Sequence, residues 1–110
     1  MGNWQKEFNA AITVCNVNGK IIDMNDKAAL TFKDDGGYDL VGKNLFECHS
    51  DSSSEIIKEL ISERQENIYT IEKNGIKKLI FQSPWYENGE MKGLVELSLE
   101  IPFEIPHHIR

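Results

Sequence analysis

Alternation dominates the last third of the chain. Val95, Leu97, Leu99 and Ile101 are separated by Glu96, Ser98 and Glu100. A period of two marks an extended strand with one apolar face. In the run before it, Leu79, Phe81 and Trp85 share a side, with Lys78, Ile80, Gln82 and Tyr86 opposite. Asn74-Gly75 and Asn88-Gly89 divide the stretch from Asn67 to Ile101 into three such runs. Asn-Gly suits a tight hairpin, because both central residues of the favoured turn take positive φ. The pattern predicts a three-stranded antiparallel meander. Its apolar face must be covered by the rest of the chain.

Ahead of the meander the period changes. Ala11 to Val17 is rich in β-branched residues and predicts a strand; Asn18-Gly19 turns it, and Lys20 to Met24 is the return. Asn25 reads as an N-cap with Asp26 at the positive end of a helix running to about Phe32, which would turn Ala28, Ala29 and Phe32 inward. Lys33 to Gly37 reads as a loop without the alternating ligands of an EF-hand, and Tyr38 to Val41 as a helical turn closed by Gly42. Ser52 and Glu55 have the spacing of a capping box. Ile56, Ile57, Leu60 and Ile61 then form one stripe of an amphipathic helix ending near Glu66. The segment from Asn25 to Glu66 is thus the expected cover of the sheet.

The ends are simpler. Trp4 and Phe8, four apart, would share one side of a short helix. So short a helix needs a support, either its own domain or a second copy. Pro102 and Pro106 stop further pairing. The expected organisation is an N-terminal segment (1–9), one domain (10–101) and a tail (102–110).

Charge and composition narrow the function. A chain of 110 residues holds one core. A net charge of −6 argues against nucleic acid as a partner. No apolar run approaches the roughly 20 residues of a membrane span, and no signal peptide is visible, so the cytoplasm is expected. Cys15 reads as a small core residue, and Cys48 is the candidate for redox sensing. No acid/base set, phosphate-cradling loop or Ser/His/Asp arrangement can be placed, so no enzyme is expected. No metal site is expected. His107-His108 belongs to the tail.

Several short motifs fall in a telling order. They are Cys15-Asn16-Val17-Asn18-Gly19-Lys20-Ile21, then Asn25, then Tyr38-Asp39-Leu40-Val41-Gly42-Lys43, then Leu45-Phe46 before the long helix, and Gly93 near the last strand. In this order and spacing the chain resembles a PAS (Per-Arnt-Sim) domain over about residues 9 to 101. Asn16 stands where the family commonly has Asp.

The resemblance implies an α+β fold: a five-stranded antiparallel sheet in order 2-1-5-4-3 with helices on one face. Pro84 would sit in an inner strand, so a bulge or an early end to pairing is expected there. The resemblance further implies a sensory or signal-transduction module that binds a small apolar ligand or a partner protein. Its pocket would draw on Phe46, Ile56, Ile57, Leu60, Phe81 and Leu97, residues that could equally fill an ordinary core. A homodimer is expected through Trp4, Phe8 and an outer sheet face that includes Ile80, Tyr86 and Leu94. The cofactor is left open. A haem sensor is one alternative, with His49 as the axial ligand, although a capped loop histidine fits that position better. Flavin chemistry is disfavoured: Asn44-Leu45-Phe46-Glu47-Cys48-His49 lacks the arginine and flanks of the photoreceptor motif. The other alternative is a structural dimerisation module with a filled core.

Overall fold

The hairpins join into one sheet. The computed structural model describes residues 1–48 and 51–110. The strands are β1 (Ala11–Asn16), β2 (Ile21–Met24), β3 (Asn67–Lys73), β4 (Ile76–Glu87) and β5 (Glu90–Ile101). They pair antiparallel in the order β2-β1-β5-β4-β3. The helices are α1 (Asn3–Lys6), α2 (Asp26–Thr31), α3 (Leu45–Cys48) and α4 (Asp51–Glu63). Among the described residues, no helix is long and apolar enough to cross a membrane.

Turn chemistry explains the corners. Asn74-Gly75 and Asn88-Gly89 both have positive φ at each residue, as a two-residue hairpin requires. The first corner works differently. Only Gly19 is left-handed there, and Asn16 Oδ1 accepts from the backbone N–H groups of Asn18 and Lys20, each at 3.0 Å. This is an Asx turn. It accounts for Asn16 in place of the family's Asp, since either side chain supplies the oxygen.

The middle of the chain departs from expectation in two places. Lys33–Asp35 and Gly37–Leu40 form consecutive 3₁₀ turns where a loop was expected for the first. The long helix begins at Asp51, so Ser52 lies inside its first turn rather than at the N-cap. At the other end Arg64 takes positive φ (55°), Gln65 N–H reaches Leu60 O at 3.0 Å, and Arg64 N–H reaches Ile61 O at 3.4 Å. That is a Schellman closure with arginine where glycine is usual.

Pairing continues through Pro84, which lies opposite Leu94; the irregularity comes one step later, between Trp85 and Tyr86. β3 begins opposite Gln82, so at Pro84 β4 has a neighbour on one side only. The missing N–H is tolerated there. Gly93 completes the irregularity with φ of +154°, and a β-carbon on it would overlap the Cys15 carbonyl. That carbonyl also accepts from Trp85 Nε1 at 3.1 Å.

The largest correction concerns which face is covered. The helices lie over the side of the sheet that carries Ala11 and Cys15 of β1 and Leu94 of β5. Ala11, Ile21, Met24, Ala28 and Leu40 form one core cluster; Cys15, Leu94, Ile57, Leu60 and Ile61 form the other. Ile80 and Leu94, expected on the outer face, are only 5% and 3% exposed. Phe81, Val95 and Leu97 lie on the opposite face, under the N-terminal segment. The cause is steric. Small side chains at Ala11, Cys15 and Ala28 let the helical layer approach the sheet, where Ile12 and Val14 would hold it off. Pairing then places Glu96 beside Thr13 and Leu94 beside Cys15, on the helical side.

Candidate functional site

Strand register puts four polar residues side by side on the helix-facing surface. Thr13 pairs with Glu96, Glu96 with Gln82, and Gln82 with Asn67. The row crosses β1, β5, β4 and β3. Asn67 Nδ2 donates to Gln82 Oε1 at 3.0 Å, and Gln82 Nε2 donates to Glu96 Oε1 at 3.1 Å. Gln82 is only 7% exposed. The direction of this chain follows from its end. An ionised carboxylate only accepts, so Gln82 turns its NH₂ toward Glu96 and its carbonyl toward Asn67, which must then donate.

Space remains above the row. A cavity of about 450 Å³ lies between α4 and the sheet, walled by Ser53, Ile56 and Ile57 and by Asn67, Tyr69, Gln82 and Glu96. A second, of about 340 Å³, lies beneath α2 and the 3₁₀ turns; Met24, Phe32, Leu40 and Leu45 line it along with Thr13 and Glu96. A gap of about 30 Å³ between them touches Cys15, Ile57 and Leu94, and again Thr13, Gln82 and Glu96. Glu96 borders all three spaces. Burial, with a smaller contribution from the Glu96 charge, raises the Tyr69 phenol above its ordinary value, so it stays protonated at neutral pH. Burial likewise pushes the Cys15 thiol up, which makes it an inert core group.

A second constellation ties the N-terminal segment to the domain. Asn25 is fully buried. Its Oδ1 accepts from Ile12 N–H at 2.9 Å and from Ala28 N–H at 3.0 Å, the latter as the N-cap of α2. Its Nδ2 donates to Ala10 O at 2.7 Å and to Gln5 O at 3.0 Å. One amide therefore joins α1, β1 and α2. At the surface Asp26 receives Lys6 Nζ at 2.9 Å and the Tyr38 hydroxyl. The Tyr38 hydrogen bond, then Lys6, holds the Asp26 carboxyl below its ordinary range. The N-terminal segment therefore lies on its own domain. Trp4 and Phe8 pack edge to face with ring centroids 5.7 Å apart, yet remain 67% and 48% exposed. Beside Trp4 runs a groove of about 630 Å³ floored by Ile12, Val14, Phe81, Val95 and Leu97.

The six residues expected to line one pocket are divided by the sheet. Ile57 and Leu60 are buried in the interlayer core, with Phe46 packed against the same cluster. Ile56 is half exposed, at the wall of the larger interlayer cavity. Phe81 and Leu97 face the outer groove and belong to a different surface. His49 lies outside the described residues, as does the side chain of Cys48. Among the described residues no cluster of ligand side chains could hold a metal ion. Sequence reasoning missed Thr13, Asn67, Tyr69, Gln82 and Glu96. One signal was available: Gln82 and Glu96 share the parity of Ile80 and Leu94, so their face carried apolar residues too.

No protein-family model and no curated relative matches the sequence. Solved structures do. The Aer2 receptor from Vibrio cholerae, a dual PAS-heme oxygen sensor, is 17% identical over 84% of this chain and 95% of that one, with a TM-score of 0.65. The PAS domain of the histidine kinase ThkA is 15% identical over 81% of this chain and 96% of that one, with a TM-score of 0.67. VqmA bound to DPO is 11% identical over 89% of this chain but 55% of that one, with a TM-score of 0.70. At such identities the likeness is one of fold. Strand order, helix placement and these neighbours agree: the chain folds as a PAS domain.

Proposed function

We propose that this PAS domain is a sensory module that takes a small molecule between α4 and the sheet. The observation that carries the reading is the open cleft of about 450 Å³ over a half-buried, hydrogen-bonded polar row. Burying polar groups costs free energy unless they are paired, and a simple core would fill such a site with apolar side chains. A row kept polar beneath a helix, with room above it, supports recognition rather than packing. The reading of a structural module with a filled core is the weaker for the same reason.

The signal would travel by a change in helix packing. Occupancy shifts α4 against the sheet, and the interlayer core passes the shift to α2. Asn25, capping α2 and holding the backbone of α1, transmits it to the N-terminal segment. Exposed Trp4 and Phe8 beside the outer groove support a homodimer as the reader of that movement. Native mass spectrometry of the purified protein tests the core of the idea. A non-covalent adduct is expected, whose removal increases hydrogen exchange in α4 and in residues 1–10. An adduct with a Soret or flavin absorption band would instead establish the cofactor alternative. A ligand-free mass, with exchange unaffected by any small molecule supplied, would defeat the reading.

A further inference from the structure

We propose that the outer edge of β3 is a docking strand for the β3 of a second copy, paired antiparallel so that two sheets join into one. The two edges of the sheet are finished differently. β2 is short, and the chain after the second 3₁₀ turn covers it: Ile21 N–H donates to Lys43 O at 2.9 Å, Gly42 N–H donates to Ile21 O at 2.7 Å, and Lys20 pairs with Asn44. β3 pairs with β4 from Asn67 to Lys73 without a bulge, and it contains no proline. Among the described residues no strand lies beyond it, and Ile68 to Lys73 are all exposed. Lys73 and Ile76 flank the two-residue Asn74-Gly75 turn, so they exchange both of their hydrogen bonds. Alternation then turns the N–H and C=O groups of Ile68, Thr70 and Glu72 away from β4, toward the open side. Such an edge is a template for another strand.

The sequence of β3 fits its own reverse. A two-fold axis between antiparallel strands pairs each residue with one of its own parity. Centred on Thr70, it places Thr70 opposite the same residue of the second copy. Ile68 then meets Glu72, Tyr69 meets Ile71 and Asn67 meets Lys73. The pairing sets an aromatic against a β-branched side chain twice over, Tyr69 with Ile71, which are 40% and 42% exposed in the single chain. Lys73 meets an amide, and Glu66 falls opposite Asn74. Centring the axis on Tyr69 would instead set Glu66 against Glu72, a repulsive pair. Centring it on Ile71 would set Asn67 and Ile68 against the turn. The contact is mostly main chain and buries less than a standard interface, so a Kd on the order of 300 µM is expected. It requires neither a ligand nor the outer-face dimer, whose mass is read at low micromolar concentration.

Amide exchange followed by NMR tests the contact in the full chain, both unaltered and with Trp4→Asp to remove the outer-face interface. In a single copy the Ile68, Thr70 and Glu72 amides face solvent. They are expected to exchange about threefold more slowly at about 1 mM than at about 20 µM, as the monomer fraction falls. The Tyr69 and Ile71 amides, bonded to β4, should change little. Thr70→Pro removes the central N–H at an edge position that accepts proline, and should abolish the concentration dependence at Ile68 and Glu72. The dilution series needs no change in β3, so a poorly folded Thr70→Pro leaves the test intact. Thr70→Cys should crosslink to itself under mild oxidation beyond the wild-type background, because directly paired residues lie within disulfide reach. Fast exchange at both concentrations would overturn the proposal. So would protection at both with a monomer's mass, since the chain would then cover its own edge. Crosslinking through Ile71→Cys in preference to Thr70→Cys would overturn the pairing stated here.

Discussion

The two faces of the sheet are built from adjacent residues and have opposite character. On the outer face Ile68, Phe81, Leu97 and Ile12 pair across four strands. One residue along, on the helical face, stand Asn67, Gln82, Glu96 and Thr13. The more apolar row has little cover beyond a four-residue helix and its flanks, while the polar row lies under the helical layer. Apolar character therefore did not decide which face the helices took. The connection out of β2, and the small residues that let α2 come close, decided it. The outer row lies under the N-terminal segment and borders an open groove. The inner row is left with space above it.

Gly93→Ala should be the most damaging change, because it strikes the point on which both faces depend. A methyl group there overlaps the Cys15 carbonyl, in a backbone region that favours glycine. A loss of about 4 kcal/mol or failure to fold is expected in urea unfolding. Near-native stability would mean that β5 does not approach β1 so closely. Asn25→Ala should come next. It strands the buried N–H groups of Ile12 and Ala28 and frees α1. About 3 kcal/mol is expected, with early loss of exchange protection in residues 1–10.

A matched pair then sets the faces against each other. Gln82→Leu, on the inner row, removes the amide that links Asn67 to Glu96 and should cost about 1–2 kcal/mol. Leu97→Asn, on the half-buried outer row, should cost the monomer about 1 kcal/mol or less. If the proposed homodimer forms, the second change, or Trp4→Asp, should lower the mass measured by light scattering from dimer to monomer, and Gln82→Leu should not. Dimers that survive both outer changes would remove the outer face from the assembly.

The smallest effect concerns pH. The Asp26 carboxyl titrates below its unfolded value of about 4. Its contribution to holding the N-terminal segment is complete above that unfolded value and fades as pH falls through the lower, folded one. The group is exposed, so the change should be local: exchange in residues 1–10 rises in acid before α4 or the strands respond. Asp26→Asn should abolish the step. An unchanged acid profile in that variant would show that Asp26 does not tether the segment.

Much of this was legible in the residues alone. Asn74-Gly75 and Asn88-Gly89 specify their turns because few other pairs take two positive φ angles. The stripe through Ile57, Leu60 and Ile61 marks α4, and Asn25 marks the start of α2. These are local demands on φ, ψ and capping, and a short stretch of chain contains everything they need. The polar row could not be read the same way. Its members come from four strands, and their meeting depends on register across the whole sheet.

Alternation showed that β4 and β5 have two unlike faces, and the chain itself dictated the corners, the strand lengths and the amphipathic helix between the hairpin systems. Which face the helices covered, and so whether Glu96 lay on the outer face or beneath the helical layer, was decided only when β1 paired with β5 and α2 packed on Ala11. A period of two assigns residues to alternate sides but carries no label for inside. That label comes from close packing between parts of the chain far apart in sequence.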